Sequence, residues 1–391
     1  MMLGFLLARA GVDVVVLEKH ADFLRDFRGD TIHPSTLEVM HELGLLDEFL
    51  KRPHTELPRL TAKIGNHDVT IADFTHLPTR CKFIAFMPQW DFLNFLVKHA
   101  KRYPSFHLRM ETEVTGLRLR DGRVTGVEAR TPTGTLQVDA ELVVGADGRG
   151  STVREQAGLE VIDLGAPMDA LWMQISKGLG DPGQTLGRIA AGRILVSIDR
   201  GDYWQVAYVI PKGGFEEIRR RGLPALREAI AAMAPFFHER LGELRDWNDV
   251  KLLTVRVDRL RRWFRPGLLC IGDAAHAMSP IGGVGINLAI QDAVAAANIL
   301  AAPLRNGTVT ETNLAAVQKR RELPTRLTQR VQVFMQDRVI RSVLSSTQPT
   351  MSLALPLRLL RRWPLLQRIP ARLVGVGVRP EHVRIPSHEG S

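Results

Sequence analysis

The chain opens with a hydrophobic pattern that predicts a helix followed by a strand. Residues 1–10 are almost wholly apolar, Gly11 is a common helix stop, and the β-branched run 12–17 ends at the acidic Glu18. A secretory signal places its cations before the apolar run, and a membrane span needs about 20 uninterrupted apolar residues. Here the first cation, Arg9, comes after the apolar residues 1–8, and Asp13 interrupts the apolar stretch well before the length of a membrane span. The pattern therefore predicts the helix and second strand of a βαβ unit.

Helical spacing returns further along the chain. Leu37, Met40 and Leu43 recur at helical intervals, with Ser35 or Thr36 available as the N-cap. A second helix is predicted over residues 89–102.

Strand-like alternation follows over residues 106–148 and predicts an antiparallel excursion that returns to a buried strand at 142–144. Residues 159–259 change character, with three strand-like runs and then a helix, whereas residues 267–304 read as strand, glycine-rich turn and long apolar helix. We therefore predict an α/β chain in three parts: 1–158, 159–259 and 260–391.

Composition narrows this picture only a little. Cys81 and Cys270 lie too far apart for a metal motif, which favours a reducing compartment, so we expect a cytoplasmic protein. The net charge of +10 is concentrated near the C-terminus, in residues 357–379. That basic, apolar segment is a candidate for peripheral contact with acidic membrane, although packing against the rest of the chain is the simpler expectation. No nucleic-acid motif accompanies the charge, so we predict no nucleic-acid partner.

The strongest chemical signal follows the strand "LLCIG". Asp273 comes at the carboxyl end of this strand, the edge where α/β sheets bind ligands. Glycines after it allow backbone N–H groups to approach a phosphate or a flat anionic ring at a helix N-terminus. The turn contains Pro280, Gly282, Gly283 and Gly285, and a helix begins near Asn287.

Four segments, in this order along the chain, resemble the single-component flavoprotein aromatic hydroxylases, the para-hydroxybenzoate hydroxylase-like family. They are "DFRGDTIHPSTLEVMHELGL", "MPQWDFLNFL", "LVVGADGRGSTVR" and "GDAAHAMSPIGGVGINLAIQDA". The resemblance implies an FAD-binding Rossmann-like domain, incomplete at its N-terminus, with an inserted antiparallel-sheet substrate domain and C-terminal helices.

The resemblance also assigns cofactor contacts to matching positions. Glu18, with Lys19 beside it, would bind the adenosine ribose, where a strand-end acid accepts hydroxyl hydrogens. Arg28 would face the FAD pyrophosphate, which a guanidinium fork suits. Gln89 would contact the ribityl and phosphate region, or else cap its own helix.

Two loops complete the implied cofactor site. Asp147 and Gly148 would lie near the pyrophosphate and the path of the reducing nucleotide, with Arg154 supporting their loop by charge pairing. Asp273 would bind the ribityl chain. The isoalloxazine ring would pack against Pro280 and against the backbone of residues 282–287, which include Gly282, Gly283, Val284, Gly285 and Asn287.

The implied reaction is hydroxylation of an aromatic or similar electron-rich small molecule by molecular oxygen through a flavin C4a-hydroperoxide, with NADH or NADPH as reductant. Because FAD carries this chemistry, we assign no catalytic side chain and expect no metal. His276, in the Asp273 loop, is interpreted as structural rather than as a proton donor.

Substrate contacts are predicted on the strands of residues 159–259. Trp172, Gln174 and Tyr208 are the candidates, together with Met173, although such residues on alternating strands commonly belong to a core. Neither the ring that is hydroxylated nor the oligomeric state follows from these residues. Two alternatives remain: a flavoprotein reductase or halogenase that shares the FAD architecture, and a truncated chain with impaired FAD binding.

The opening helix raises an expectation about its own context. In the resembling family, a strand and a G-x-G-x-x-G turn precede such a helix and present backbone N–H groups to the pyrophosphate. We expect the working protein to begin about 15 to 25 residues upstream, enough for one strand and its turn. We expect this chain to fold poorly and bind FAD weakly, which its flavin content beside that of a longer chain tests.

Overall fold

The computed structural model of the chain describes residues 1–24, 31–183, 186–190, 192–345 and 355–386. The helices are α1 Met2–Arg9, α2 Pro34–Glu42, α3 Leu46–Leu50, α4 Gln89–Ala100, α5 Thr152–Gln156, α6 Phe215–Arg221, α7 Leu223–Met233, α8 Gly285–Arg305, α9 Glu311–Met335, α10 Arg341–Ser345, α11 Leu355–Arg362 and α12 Arg368–Gly375. Short 3-10 turns cover Phe74–His76, Pro235–Glu243, Trp247–Asp249, Gly272–Ala274, Ile281–Gly283 and Pro364–Gln367, and a π-helical turn covers Gln336–Ile340.

The strands are short and numerous. In chain order they are β1 Val14–Leu17, β2 Thr31–Ile32, β3 Thr55–Leu57, β4 Arg59–Ile64, β5 His67–Asp73, β6 Ile84–Phe86, β7 Phe106–Arg109, β8 Glu113–Arg120, β9 Arg123–Thr131, β10 Gly134–Asp139, β11 Val143–Gly145, β12 Val161–Asp163, β13 Met168–Ser176, β14 Leu186–Ala190, β15 Arg193–Asp199, β16 Tyr203–Pro211, β17 Lys251–Leu253, β18 Asp258–Leu260, β19 Phe264–Arg265, β20 Leu268–Cys270 and β21 His276–Ala277.

The helix and strand predicted at the start of the chain are confirmed. Gly11 ends α1 with φ +77°, in the left-handed region that favours glycine. A Cβ on Gly4 would lie 2.6 Å from the Val16 side chain, so α1 approaches β1 more closely than any other residue would allow. The inner face of α1 packs against α4 and α8.

Outside the largest sheet, described below, parallel pairing occurs in two separate small sheets. β1 pairs with β7, with Val14 opposite Phe106, and β11 pairs with β20, with Val143 opposite Leu268. Among the residues that the structure describes, no strand joins the two pieces. Residues on both, including Val16, line the same large cavity.

The largest sheet has seven strands in the order β17-β13-β16-β15-β14-β4-β5. Adjacent strands within this sheet are antiparallel, except that β14 and β4 run parallel, with Gly187 opposite Ala62. The strands predicted within residues 159–259 are confirmed as β13, β15 and β16. However, the sheet also takes β4 and β5 from the part predicted as 1–158, because β4 of the β4–β5 hairpin pairs with β14.

Three details differ from or sharpen the sequence predictions. Helix α2 has His33, not Ser35 or Thr36, at its N-cap, because Pro34 occupies the first helical position, where its fixed φ is favourable. Gln89 is the first residue of α4 and makes no cap bond. The apolar stretch Ile281–Arg305 is long enough to span a membrane, but 72% of its most apolar window is buried within the protein, as in a core helix.

Candidate functional site

One cavity brings most of the predicted cofactor residues together. It has a volume of about 2250 Å³ and lies among the parallel strands, the glycine-rich turn and the seven-stranded sheet. Val284 and Asn287 do not line it, and Arg28 lies outside the described residues. The predicted residues that line the cavity are Glu18, Lys19, Gln89, Asp147, Gly148, Asp273, Pro280, Gly282, Gly283 and Gly285.

Asp273 lies where the sequence predicts, in the turn after β20. Its Oδ2 accepts a hydrogen bond from Arg149 Nε at 3.1 Å, and both side chains are about one-third exposed. A Cβ on Gly285 would lie 3.8 Å from Asp273 Oδ1, so the carboxylate lies beside the N-terminus of α8. Sequence reasoning missed Arg149, although it directly follows the Asp-Gly pair that was singled out.

The glycine-rich turn is held against β2 with no room for a side chain. Gly282 and Gly283 have φ of +77° and +63°. A Cβ on Gly283 would lie 2.4 Å from Thr31 Oγ1, and that hydroxyl donates to the Gly283 carbonyl at 2.9 Å. Only glycine therefore allows the turn to present its backbone to the cavity.

Asn287 lies behind this turn, where it acts as a brace. Its Oδ1 accepts from the His33 backbone N–H at 3.0 Å and from Thr36 Oγ1 at 2.7 Å. Its Nδ2 donates to the carbonyls of Thr31 at 3.1 Å and Gly283 at 3.3 Å. These bonds occupy the Asn287 amide, which holds the turn in place, and the predicted contact of the backbone here with the flavin ring stays a prediction.

His33 connects the same brace to the C-terminal helix. Its ring is buried, and Nδ1–H donates to the Val374 carbonyl of α12 at 2.7 Å. Burial lowers the pKa of His33 from 6.5 to about 4, partly opposed by that hydrogen bond. The imidazole is therefore neutral at physiological pH.

This neutral histidine makes the fold sensitive to acid. The unfolded chain takes up the His33 proton near pH 6.5 but the folded chain only near pH 4, so stability falls as the pH is lowered between these values. We expect a slope of about 1.4 kcal/mol per pH unit that is absent in His33→Gln. Urea unfolding across this pH range measures it. The exposed His238→Gln is the control, and equal slopes in both variants would contradict the prediction.

The Asp147 loop is built from its own hydrogen bonds. Asp147 accepts from Ser151 Oγ at 2.5 Å and from the Val153 N–H at 3.1 Å, which fixes the start of α5. Arg154 contacts the loop through a hydrogen bond to the Arg149 carbonyl, at 2.5 Å, and not through the predicted charge pairing. Its charge pairs with Asp258, at 3.3 Å, rather than with Asp147, whose carboxylate the capping bonds occupy.

A buried ionic network lies beneath the Asp273 loop. His276 Nε2 lies 2.6 Å from Asp292 Oδ2, and Arg321 Nε donates to Asp292 Oδ1 at 2.9 Å. The Gly272 N–H also donates to Asp292, at 3.0 Å. His276 does not line the cavity, and its ring is hydrogen-bonded to Asp292.

The seven-stranded sheet forms an apolar wall of the cavity, and only part of the predicted substrate set reaches it. Trp172 lines the cavity, whereas Gln174 is exposed at the far end of β13. Tyr208 and Met173 point to the opposite side of the sheet, into the core that contains α7. Strand alternation brings other residues to the cavity instead: Ala170, Val196, Ile198, Ala207 and Val209.

Comparison with known proteins agrees with this arrangement. The family model described as FAD binding domain matches residues 1–331. The chain belongs to this FAD-binding family. It is 35% identical over 346 residues to a 6-methylpretetramide 4-monooxygenase from Streptomyces rimosus, covering 87% of this chain and 81% of the relative. It is 26% identical to a para-nitrophenol 4-monooxygenase from Pseudomonas sp. strain WBC-3, covering 78% and 76%.

Solved structures of family members share the fold. A p-nitrophenol 4-monooxygenase, PnpA, from Pseudomonas putida DLL-E4 superposes with a TM-score of 0.72 at 21% identity, covering 96% of this chain and 90% of that one. The Diels-Alderase PyrE3 superposes with a TM-score of 0.73 at 25% identity, covering 96% and 77%. With its monooxygenase relatives, this places the chain among the FAD-dependent monooxygenases, which are oxidoreductases.

The residues present fit FAD. The turn at Gly283 leaves no space for a Cβ, so backbone N–H groups can lie directly against a flat ring. Asp273 offers a carboxylate for ribityl hydroxyls, Arg149 offers a cation for phosphate, and Glu18 offers a carboxylate for the adenosine ribose, all on one cavity.

Proposed function

We propose that this family member hydroxylates a large, flat, apolar aromatic substrate of several fused rings, using FAD and NADH or NADPH. The apolar sheet wall, which includes Trp172, carries the proposal. It presents side chains that suit a broad ring surface and offers few charged groups that would select a small phenolate or carboxylate. The named activity of the 35% identical relative, on 6-methylpretetramide, supports a substrate of this kind.

Each part of the cavity has a defined task in this reaction. Bound FAD would be reduced by the nicotinamide nucleotide and would then activate oxygen. Asp273 and the Gly282–Gly285 backbone hold the cofactor at one end of the cavity. Trp172 and Val209 orient the substrate and exclude water, which protects reactive oxygen chemistry from side reactions. No side chain of the sheet wall is required to move a proton.

The proposal predicts a preference for fused-ring substrates and a substitution that should reduce this preference. We expect a fused-ring phenol to stimulate NAD(P)H oxidation with kcat/KM roughly tenfold or more above that of a single-ring phenol. Val209→Phe should narrow the cavity and reduce that ratio, because Val209 lines it. The matched control Gln174→Phe, on the neighbouring strand but outside the cavity, should leave the ratio unchanged.

The same assay separates the alternatives. One atom of labelled O₂ should appear in the product, and EDTA should have no effect, since the described residues contain no cluster of metal-ligating side chains. NAD(P)H oxidation without labelled product would favour a reductase. Loss of activity in EDTA with recovery on adding iron would contradict the proposal.

We also propose a cytoplasmic location with peripheral membrane contact. Cys81 and Cys270 are both free and buried, which suits a reducing compartment. The basic C-terminal segment is the part of the chain suited to acidic lipid.

A further inference from the structure

The segment that contains α11 and α12 has an unusual charge pattern. Between Leu355 and Pro380 the chain has six arginines and no aspartate or glutamate. None of Arg358, Arg362, Arg368 and Arg372 has a carboxylate within salt-bridge distance among the residues that the structure describes. Arg361 contacts the His67 ring, at 3.0 Å.

The inner side of this segment is firmly packed. Ala371 and Gly375, one turn apart on α12, are buried, and a Cβ on Gly375 would lie 2.7 Å from the Leu77 side chain. Leu357, Leu360 and Pro370 line the large cavity. The segment is therefore fixed to the body of the protein and forms part of the cavity wall.

The outer side, in contrast, presents large apolar side chains to solvent. Trp363 is 56% exposed, Leu365 67%, Ile369 59% and Leu373 41%. On α12, Ile369 and Leu373 lie one turn apart, and exposed Arg368 and Arg372 precede each of them. We call these four apolar residues and the two arginines the C-terminal face.

We propose that the C-terminal face binds the surface of an anionic lipid bilayer. The four apolar side chains would enter the boundary between lipid headgroups and acyl chains, where the indole of Trp363 is favoured. The guanidinium groups of Arg368 and Arg372 would remain among lipid phosphates. Because Leu357 and Leu360 line the cavity from the same segment, the face adjoins the proposed substrate site, yet the proposal holds whichever aromatic compound is hydroxylated.

The charge pattern favours lipid over a second copy of this chain. A two-fold interface places the same patch on both partners, so Arg368 and Arg372 would meet like charges. Protein interfaces also exclude charged residues from their centres. Here the arginines alternate with the apolar side chains, which is the arrangement expected at a phosphate-rich surface.

Vesicle co-sedimentation of the flavin-bound full chain tests the proposal. We expect binding to vesicles of equal parts phosphatidylcholine and phosphatidylglycerol at low salt, weak binding at high salt, and little binding to phosphatidylcholine alone. Trp363→Ser with Leu365→Ser should reduce the partition coefficient roughly tenfold or more. Arg368→Gln with Arg372→Gln should do the same and weaken the salt dependence.

The control pair is Leu119→Ser with Arg120→Gln, which removes an exposed leucine and arginine from β8. It should bind vesicles like the parent, and all variants should keep the parental flavin content. Absence of parental binding, or equal binding by all variants, would overturn the proposal. So would sedimentation velocity showing a dimer that Trp363→Ser dissociates, without vesicle binding. Vesicle binding requires no turnover, so its failure is distinct from failure of the proposed hydroxylation.

Discussion

Replacing Asp292 with alanine is expected to lower the free energy of unfolding by about 3 kcal/mol, because the buried Arg321 guanidinium then keeps only Glu381, at 3.4 Å, as a carboxylate partner. Asp292 and Arg321 are almost fully buried, and their ion pair measures 2.9 Å. The variant also removes the partner of His276 and of the Gly272 N–H. Urea unfolding of flavin-free parent and variant measures the change without a contribution from ligand binding.

The ionised state of Asp292 explains the size of this effect. Burial alone would raise the pKa of Asp292, but His276 and Arg321 beside it hold the pKa below its ordinary value of 3.8. The carboxylate is therefore charged at neutral pH. Its contribution to stability is present above that ordinary value and is lost as the pH falls through the lower folded value.

An exposed pair of the same chemistry gives the matched control. Asp337 and Arg341 are neighbours on a helical surface, about half exposed or more, and their pair is expected to contribute less than about 1 kcal/mol. If Asp292→Ala costs no more than Asp337→Ala, the network is not the support that its burial indicates. Adding Arg321→Met to Asp292→Ala should recover part of the loss, since no charge then remains unpaired.

Local patterns predicted the parts of this site that lie within one short stretch of chain. The strand that ends at Glu18 and the glycine turn after Asp273 each carry their own signal, because local backbone geometry requires the turn glycines and the acid directly follows a β-branched run. These residues line one cavity in the structure. The helix start at Gln89 was also predicted from a local pattern of residues.

Tyr208, a predicted substrate contact, shows what local sequence patterns do not predict. Trp172 lies opposite Ala207 across the β13–β16 pair, and Tyr208 lies opposite Leu171. Opposite residues share one side of a sheet, so Trp172 faces the cavity while Tyr208 faces α7. Both strands were predicted, but their relative register depends on pairing across the sheet, and an error of one residue exchanges the two sides.

The brace behind the glycine turn was missed for a different reason. Asn287 meets His33 and Thr36 across more than 250 positions of sequence, and His33 reaches Val374 across 341. No periodicity encodes such contacts. The local pattern of "HPSTLE" predicts a helix start, and the same polar residue types also form long-range hydrogen bonds that the pattern does not reveal.

Asp273 is expected to have the largest effect on the cofactor. Asp273→Ala should weaken FAD binding roughly tenfold or more, because a hydrogen bond to a charged group contributes about 1.5 to 3 kcal/mol and each 1.4 kcal/mol is about one decade of Kd. The carboxylate lies on the cavity beside the start of α8 and is not sequestered, since Arg149 Nε contacts only Oδ2. Fluorescence titration of flavin-free protein measures Kd.

The two oxygens of Asp273 make a graded test available. Asp273→Asn keeps one acceptor and adds a donor, so its Kd should fall between those of the parent and Asp273→Ala. Asp202→Ala, an exposed carboxylate on the β15–β16 turn, is the matched control and should bind FAD like the parent. If Asp273→Ala retained the parental affinity, the ribityl chain would not lie at this loop. Glu18, which lines the same cavity, would then be the place to look for the dominant cofactor contact.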